Sequence, residues 1–430
     1  MQFFQKLGAL IEQRWRDKNY DEDAFPQIAA DALAEADACA SVDPVEILEW
    51  VHHAPSLPVQ HDIESRFGNP PVTLYSGPRF YIDAYYWLDG TTAVHQHAFS
   101  GAFQVLAGSS IHSRYDFSLD ERINVNMAVG KATLRSVELL STGQVRRITP
   151  GAKFIHALFH LERPSVSLTV RTMHTPTGGP QFSYLKPFIA IDPFFKEQSA
   201  VRKVQTAVLL LKMKHPRADE LIGELVESSD FHVAYLVMES AFHHLTGGEL
   251  QKVFSLSSGS DRFQSLLERA RLRHGELVDR LPPVFEELHR QSSLVSRRTY
   301  LTGSDERFFL ALLLNVPETA KVLDLVRQRF GQQDPADTIC DWVTELSKTR
   351  LLGSAEANVL GVEDFDEDSA LALRGLLSGL NVEQIVSGLA DKYNWESRAQ
   401  LETDVRRMMQ SFSSSVLLKS LLPQLGNLSL

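Results

Sequence analysis

The stretch Trp87-Leu-Asp-Gly90-Thr-Thr-Ala-Val-His95-Gln-His97 decides how this chain is read. Side chains two apart on an extended segment point the same way. His95 and His97 therefore offer two imidazoles on one face, and two such nitrogens can share a metal ion without bending the backbone. Farther on comes Thr149-Pro-Gly151-Ala-Lys-Phe-Ile-His156-Ala-Leu-Phe-His160, in which His156 and His160 share a face if the segment is extended. A lone His on a strand is usually a surface or core residue. The weight here lies in the conjunction: a Gly turn, H-x-H, a second Gly-punctuated segment, then a strand opened by Pro-Gly that carries another His.

The surroundings agree with an extended setting. Between residues 55 and 195, Pro, Gly and β-branched residues rise and turn signals recur at short spacing. The pattern predicts strands at Val72–Tyr75, Phe80–Trp87, Ala93–Ala98, Ala102–Leu106, Ser110–Phe117, Ala132–Leu140, Val145–Ile148, Phe154–Leu161 and Ser165–Met173. Many short strands of this kind make a sandwich or a small barrel. Residues 1–54 read as helical instead, with Phe3, Phe4, Leu7, Leu10 and Ile11 at helical steps and Asp43-Pro44 as a helix start. After Pro193 the helical period returns and persists, with Asp334-Pro335 and Asn381 as further starts and Gly331 as a stop. The expected organisation is α+β: a helical cap at 1–54, a β-barrel at 55–195 and an all-α domain at 196–430.

Composition narrows the function classes. The chain has 430 residues, is 43% hydrophobic and carries a net charge of −11. An acidic surface repels phosphate backbones, so no nucleic-acid partner is expected. Cys39 and Cys340 are the only cysteines. They supply neither a disulfide framework nor a cysteine-rich zinc site, and a reducing cytoplasm is the expected setting. The first twenty residues are broken by Lys6, Glu12, Arg14, Arg16, Asp17 and Lys18, so no secretory signal is expected there. The densest apolar run, Phe308–Leu314, is too short to cross a bilayer, and no membrane partner is expected.

Gly90, His95, His97 and Gly108 resemble the first motif of the cupin superfamily, and Pro150, Gly151, His156 and His160 resemble its second. The resemblance implies a double-stranded β-helix with a metal held by His95, His97 and His156. The acid that the first motif places after its second His falls here on Gly101 or Ala102, with Gln104 the nearest polar residue. A three-histidine cupin is similar to the thiol dioxygenases, of which cysteine dioxygenase is the best known. Phe80–Tyr115 and Phe154–Arg171 carry that likeness, which extends over residues 1–190. It implies Fe(II), O2 as co-substrate, and a thiol-bearing or similar small substrate, with Arg171, Gln104 and Tyr86 beside the substrate or behind the ligands.

The chain departs from that family at two points. Thr169 and Arg171 stand where the family carries the His and Tyr of a Ser-x-His-x-Tyr run, and no cysteine lies near enough for a Cys–Tyr crosslink. An arginine there suits a carboxylate or another anion, which its planar fork can grip at two points. Imidazole ligands also suit Zn(II), Ni(II) and Cu(II), so ligand type leaves the metal open. Two alternatives remain: a non-oxidative metal cupin, and a cupin-derived binding or scaffold protein. In the scaffold reading the helical domain recognises a partner protein; in any of the readings that domain could be a homodimer surface, a lid or a dock for a peptide substrate.

Overall fold

The structure is a computed structural model that describes residues 2–63, 67–173, 175, 179–246, 258–331, 333–351, 358–393 and 398–423. It divides into two compact units, one of residues 1–136 and 140–289 and one of residues 137–139 and 290–430. The expected borders at 54 and 195 mark changes of composition. Compactness instead keeps the helices up to residue 289 with the strands, because Met127, Val129, Ile189 and Ile191 share one apolar cluster with Ile222, Val226, Tyr235, Met238 and Phe285.

Ten strands are described: β1 (Val72–Ser76), β2 (Phe80–Trp87), β3 (Gly101–Ala107), β4 (Ser109–Asn124), β5 (Met127–Ser141), β6 (Val145–Ile148), β7 (Ile155–His160), β8 (Ser165–Thr172), β9 (Ser183–Leu185) and β10 (Ile189–Ile191). They form two five-stranded sheets, in the orders β1-β2-β8-β3-β6 and β7-β4-β5-β10-β9. The pairs β1–β2, β2–β8, β3–β8, β3–β6, β4–β7, β5–β10 and β9–β10 are antiparallel. With the flanking helices this is a mixed α+β chain. β2 and β6 match the sequence expectation residue for residue. The short strands β9 and β10 have no counterpart in it, since three-residue segments carry too little alternation to read.

Strand alternation divides the first sheet into two buried faces. Phe80, Ile82, Ala84 and Tyr86 of β2 join Val166, Leu168 and Val170 of β8 and Ala102 and Leu106 of β3. This face packs on α1 (Gln2–Asp17) and α2 (Phe25–Ala36) through Phe4, Leu7, Ile11, Trp15, Phe25, Ala29 and Leu33. The other face holds Tyr81, Asp83, Tyr85 and Trp87 opposite Arg171, Thr169, Ser167 and Ser165. All eight residues of β2 are buried, so both faces of this strand are covered. Between β3 and β8 the backbones approach so closely that a Cβ on Gly101 would lie 1.9 Å from the Val170 carbonyl oxygen. Helix starts follow their caps: the Asp43 side chain accepts from Val45 N at 2.7 Å, ahead of Pro44.

Apart from residues 137–139 of β5, the described secondary structure of the second unit is helical. Asp334 accepts from Ala336 N at 2.8 Å to open Pro335–Lys348, and Gly331 ends Thr319–Phe330 at φ 67°. Phe308, Phe309, Leu312, Val326, Ile339 and Val343 are buried. No described helix in either unit is long and apolar enough to cross a membrane.

Phe80 is the test of how the helices hold the sheet. Its ring lies 5.6 Å from that of Phe25 and 6.4 Å from that of Trp15. Phe80→Ala removes this aromatic wedge and should destabilise the first unit by about 3–5 kcal/mol, read as a lowered urea midpoint for the transition reported by Trp15 fluorescence.

Candidate metal centre

The histidine pair does not sit on a regular strand, and the expected strand Ala93–Ala98 is corrected accordingly. Thr91 bridges Phe159, whereas His95 bridges both His156 and Ser183. The step from 91 to 95 spans one residue more than the step from 159 to 156, so the ladder along β7 is broken between them. The intervening groups find other partners: Thr92 N donates to Leu158 O at 2.9 Å, and Thr92 Oγ1 accepts from Leu158 N at 2.7 Å. Backbone bonds in both directions between His95 and His156, each 2.9 Å, then lock the two ligand segments together. Gly151 N donates to His97 O at 2.8 Å, which ties the Pro150-Gly151 turn to the same place. Gly90 opens the segment where a Cβ would lie 2.6 Å from the Trp87 indole.

This packing gathers His95, His97 and His156. All three are buried, and one ligand nitrogen from each lies within 4.8 Å of the others. No other group of three or more such residues was found among the described residues. The orientation of each ring has a cause. His95 Nδ1 lies 2.8 Å from Ala93 O and must donate to it, which leaves Nε2 as a lone pair. His156 Nδ1 lies 3.1 Å from His112 Nε2. The Nε2 atoms of His97 and His156 face each other at 2.8 Å. Two nitrogens each ~2.1 Å from one ion and at a right angle stand about 3 Å apart, so this pair fits a shared cation. His97 Nδ1 is buried with no hydrogen-bond partner among the described residues.

Electrostatics keep the three rings uncharged. Burial lowers the pKa of His95 below its ordinary value. His97 and His156 lie well below theirs, first by burial and then by repulsion from His95, with Arg171 adding to the effect on His97 and Arg114 on His156. Neutral imidazole is the form that binds metal.

The other expected site residues are placed differently. Arg171 is on the inner face, its guanidinium 3.8 Å from the Phe99 ring centre, and the Phe99 ring lies 4.5 Å from that of His97. It pairs with Asp62 at 3.7 Å. Tyr86 and Gln104 are on the helix-covered face, because they share strand parity with Ala84 and Ala102. The Tyr86 hydroxyl donates to Pro44 O at 2.7 Å and Gln104 Nε2 to Gly143 O at 3.2 Å. The structure does not bring either to the histidines. His160 stacks on Trp87 at 4.5 Å, with Nδ1 2.9 Å from Ser110 Oγ. His112 went unread in the sequence. Its parity with Ser110 on β4 is visible there, but its place beside His156 depends on the β4–β7 register.

Beside Arg171 lies a buried polar row. Asp83 accepts from the Thr73 hydroxyl at 2.8 Å and from the Tyr85 hydroxyl at 3.2 Å. Burial pushes its carboxyl above the usual carboxylate range and pushes the Tyr81 phenol up to about 12.

No protein-family model matches the chain, and no curated protein does. Among solved structures 47 chains match. One, from crystal structures of the DMSP lyases RdDddP and RnDddQII, is 16% identical with a TM-score of 0.21, covering 40% of this chain and 94% of its own.

Two outcomes follow from the geometry. Co(II) or Zn(II) should bind the metal-free protein at one ion per chain, and His97→Ala or His156→Ala should abolish that binding in calorimetric titration. The three lowered pKa values also predict acid sensitivity. The unfolded chain takes up protons near pH 6.5, before the folded one does, so stability is full above that pH and declines as pH falls towards the folded values. The metal-free protein should therefore melt lower at pH 5 than at pH 7, and His97→Gln should flatten that slope.

Proposed function

We propose that the β-rich part of the first unit is a cupin, a double-stranded β-helix capped by residues 1–54. We propose that His95, His97 and His156 hold one Fe(II) in a dioxygenase that consumes O2 and a thiol-bearing or similar small substrate. The observation that carries this reading is the buried trio itself: three neutral imidazoles, ligand atoms within 4.8 Å, and no carboxylate in the group. Such a donor set adds no charge, so the ion would keep its full positive charge and open positions for an anionic substrate and O2.

The chain's own residues do the rest. Burial of the histidines excludes bulk water. The bond from His95 to Ala93 O, together with the one between His156 and His112, holds two rings in place. Arg171 would hold an anionic group of the substrate, a role supported by its lying one aromatic ring away from His97. The unpaired thiols of Cys39 and Cys340 suit a reducing cytoplasm.

Anaerobic loading with Fe(II), metal analysis and an O2 electrode test the proposal. About one iron per chain and O2 uptake that depends on an added thiol are expected. Stoichiometric zinc without O2 uptake would instead mean a non-oxidative metal enzyme, and a chain that takes up no metal would mean a scaffold. Arg171→Gln should keep the metal and raise KM for an anionic substrate about 10- to 100-fold, the worth of a lost charge-assisted contact.

A further inference from the structure

The three histidines differ in what holds their far nitrogen. His95 Nδ1 meets a backbone carbonyl, and His97 Nδ1 meets no partner among the described residues. His156 Nδ1 meets another imidazole, that of His112, at 3.1 Å. His112 is fully buried. It projects from β4 on the face shared with Ser110 and Arg114, and the antiparallel register sets Arg114 against His156 and His112 against Leu158. His112 is thus the diagonal neighbour of His156 across the strand pair. Its ring stands edge-on to that of His156, 5.2 Å between centres at 80°. The rings of Phe103 and Phe154 flank it at 5.9 and 6.0 Å.

If His156 Nε2 is to offer a lone pair to an ion, its Nδ1 must carry the proton. That proton has an acceptor at hydrogen-bond distance, His112 Nε2. Resting on the metal-centre reading above, we infer that His112 is a positioning residue: it accepts the Nδ1 proton of His156 and so fixes the tautomer and ring orientation that aim Nε2 at the metal. Partners of this kind behind a ligating histidine are commonly carboxylates or backbone carbonyls. Here the acceptor is an imidazole held between aromatic rings, so it orients the ligand without the negative charge that a carboxylate would add behind it.

The test uses full-length metal-free protein, with Co(II) titration for affinity and nitrogen-15 histidine NMR of the Zn(II)-loaded form for the tautomer. Wild type should bind one ion and show a protonated, slowly exchanging Nδ1 at His156. His112→Ala should bind 10- to 100-fold more weakly and lose that protected resonance. His112→Gln, whose amide oxygen can still accept, should recover most of the affinity and the resonance. Should His112→Ala fail to fold by circular dichroism, His112→Gln and the wild-type spectrum decide alone: a His156 protonated at Nε2 overturns the inference. Wild-type affinity in a folded His112→Ala also overturns it and leaves the metal centre standing. Failure of wild type to bind either ion removes the metal centre and, with it, the role of His112.

Discussion

Three imidazoles buried against one another cannot all be protonated. Like charges at these separations in a poorly solvated interior repel strongly, and burial already disfavours each charge alone. The rings therefore stay neutral, and neutral rings leave nitrogen lone pairs crowded inside the first unit. His97 and His156 bring two Nε2 atoms to 2.8 Å, a spacing met either by a shared proton or by a shared cation. Much else around the site follows from holding these nitrogens in place: the doubled backbone bond between His95 and His156, the carbonyl of Ala93 behind one ring, and His112 behind another.

The sheets make such an interior affordable because antiparallel strands sort their residues by parity. One face of β2, β3 and β8 is apolar and takes the N-terminal helices. The other carries Tyr81, Asp83, Tyr85, Trp87 and Arg171. A polar interior of this kind needs internal partners. It has several: Thr73 and Tyr85 for Asp83, Ser167 for Trp87, and Ser110 and Ser165 for His160.

The trio at 95, 97 and 156 was legible because two cues are local: the two-residue spacing of H-x-H, and the Pro-Gly turn ahead of His156. The setting of the pair was less so. Alternation around Ala93–Ala98 reads as a strand, but an extra residue against β7 breaks the ladder there. Tyr86 and Gln104 were expected beside the site on the strength of the family likeness. Parity then put them under the helices, and nothing local says which face of a fully buried strand is inward. Arg171 fell on the inner face for the same kind of reason.

Sequence alone determined the segments: a helical start, a β-rich middle, a long helical remainder, an acidic surface, and which histidines deserved scrutiny. Periodicity, capping residues and turn residues act over a few positions and can be read without neighbours. Tertiary structure alone decided that His112 stands behind His156, that Gln104 and Tyr86 do not face the histidines, and that the helices up to residue 289 cluster with the strands. Those outcomes rest on register and on which faces meet across the fold, and contacts between distant segments exist only once the chain has closed on itself.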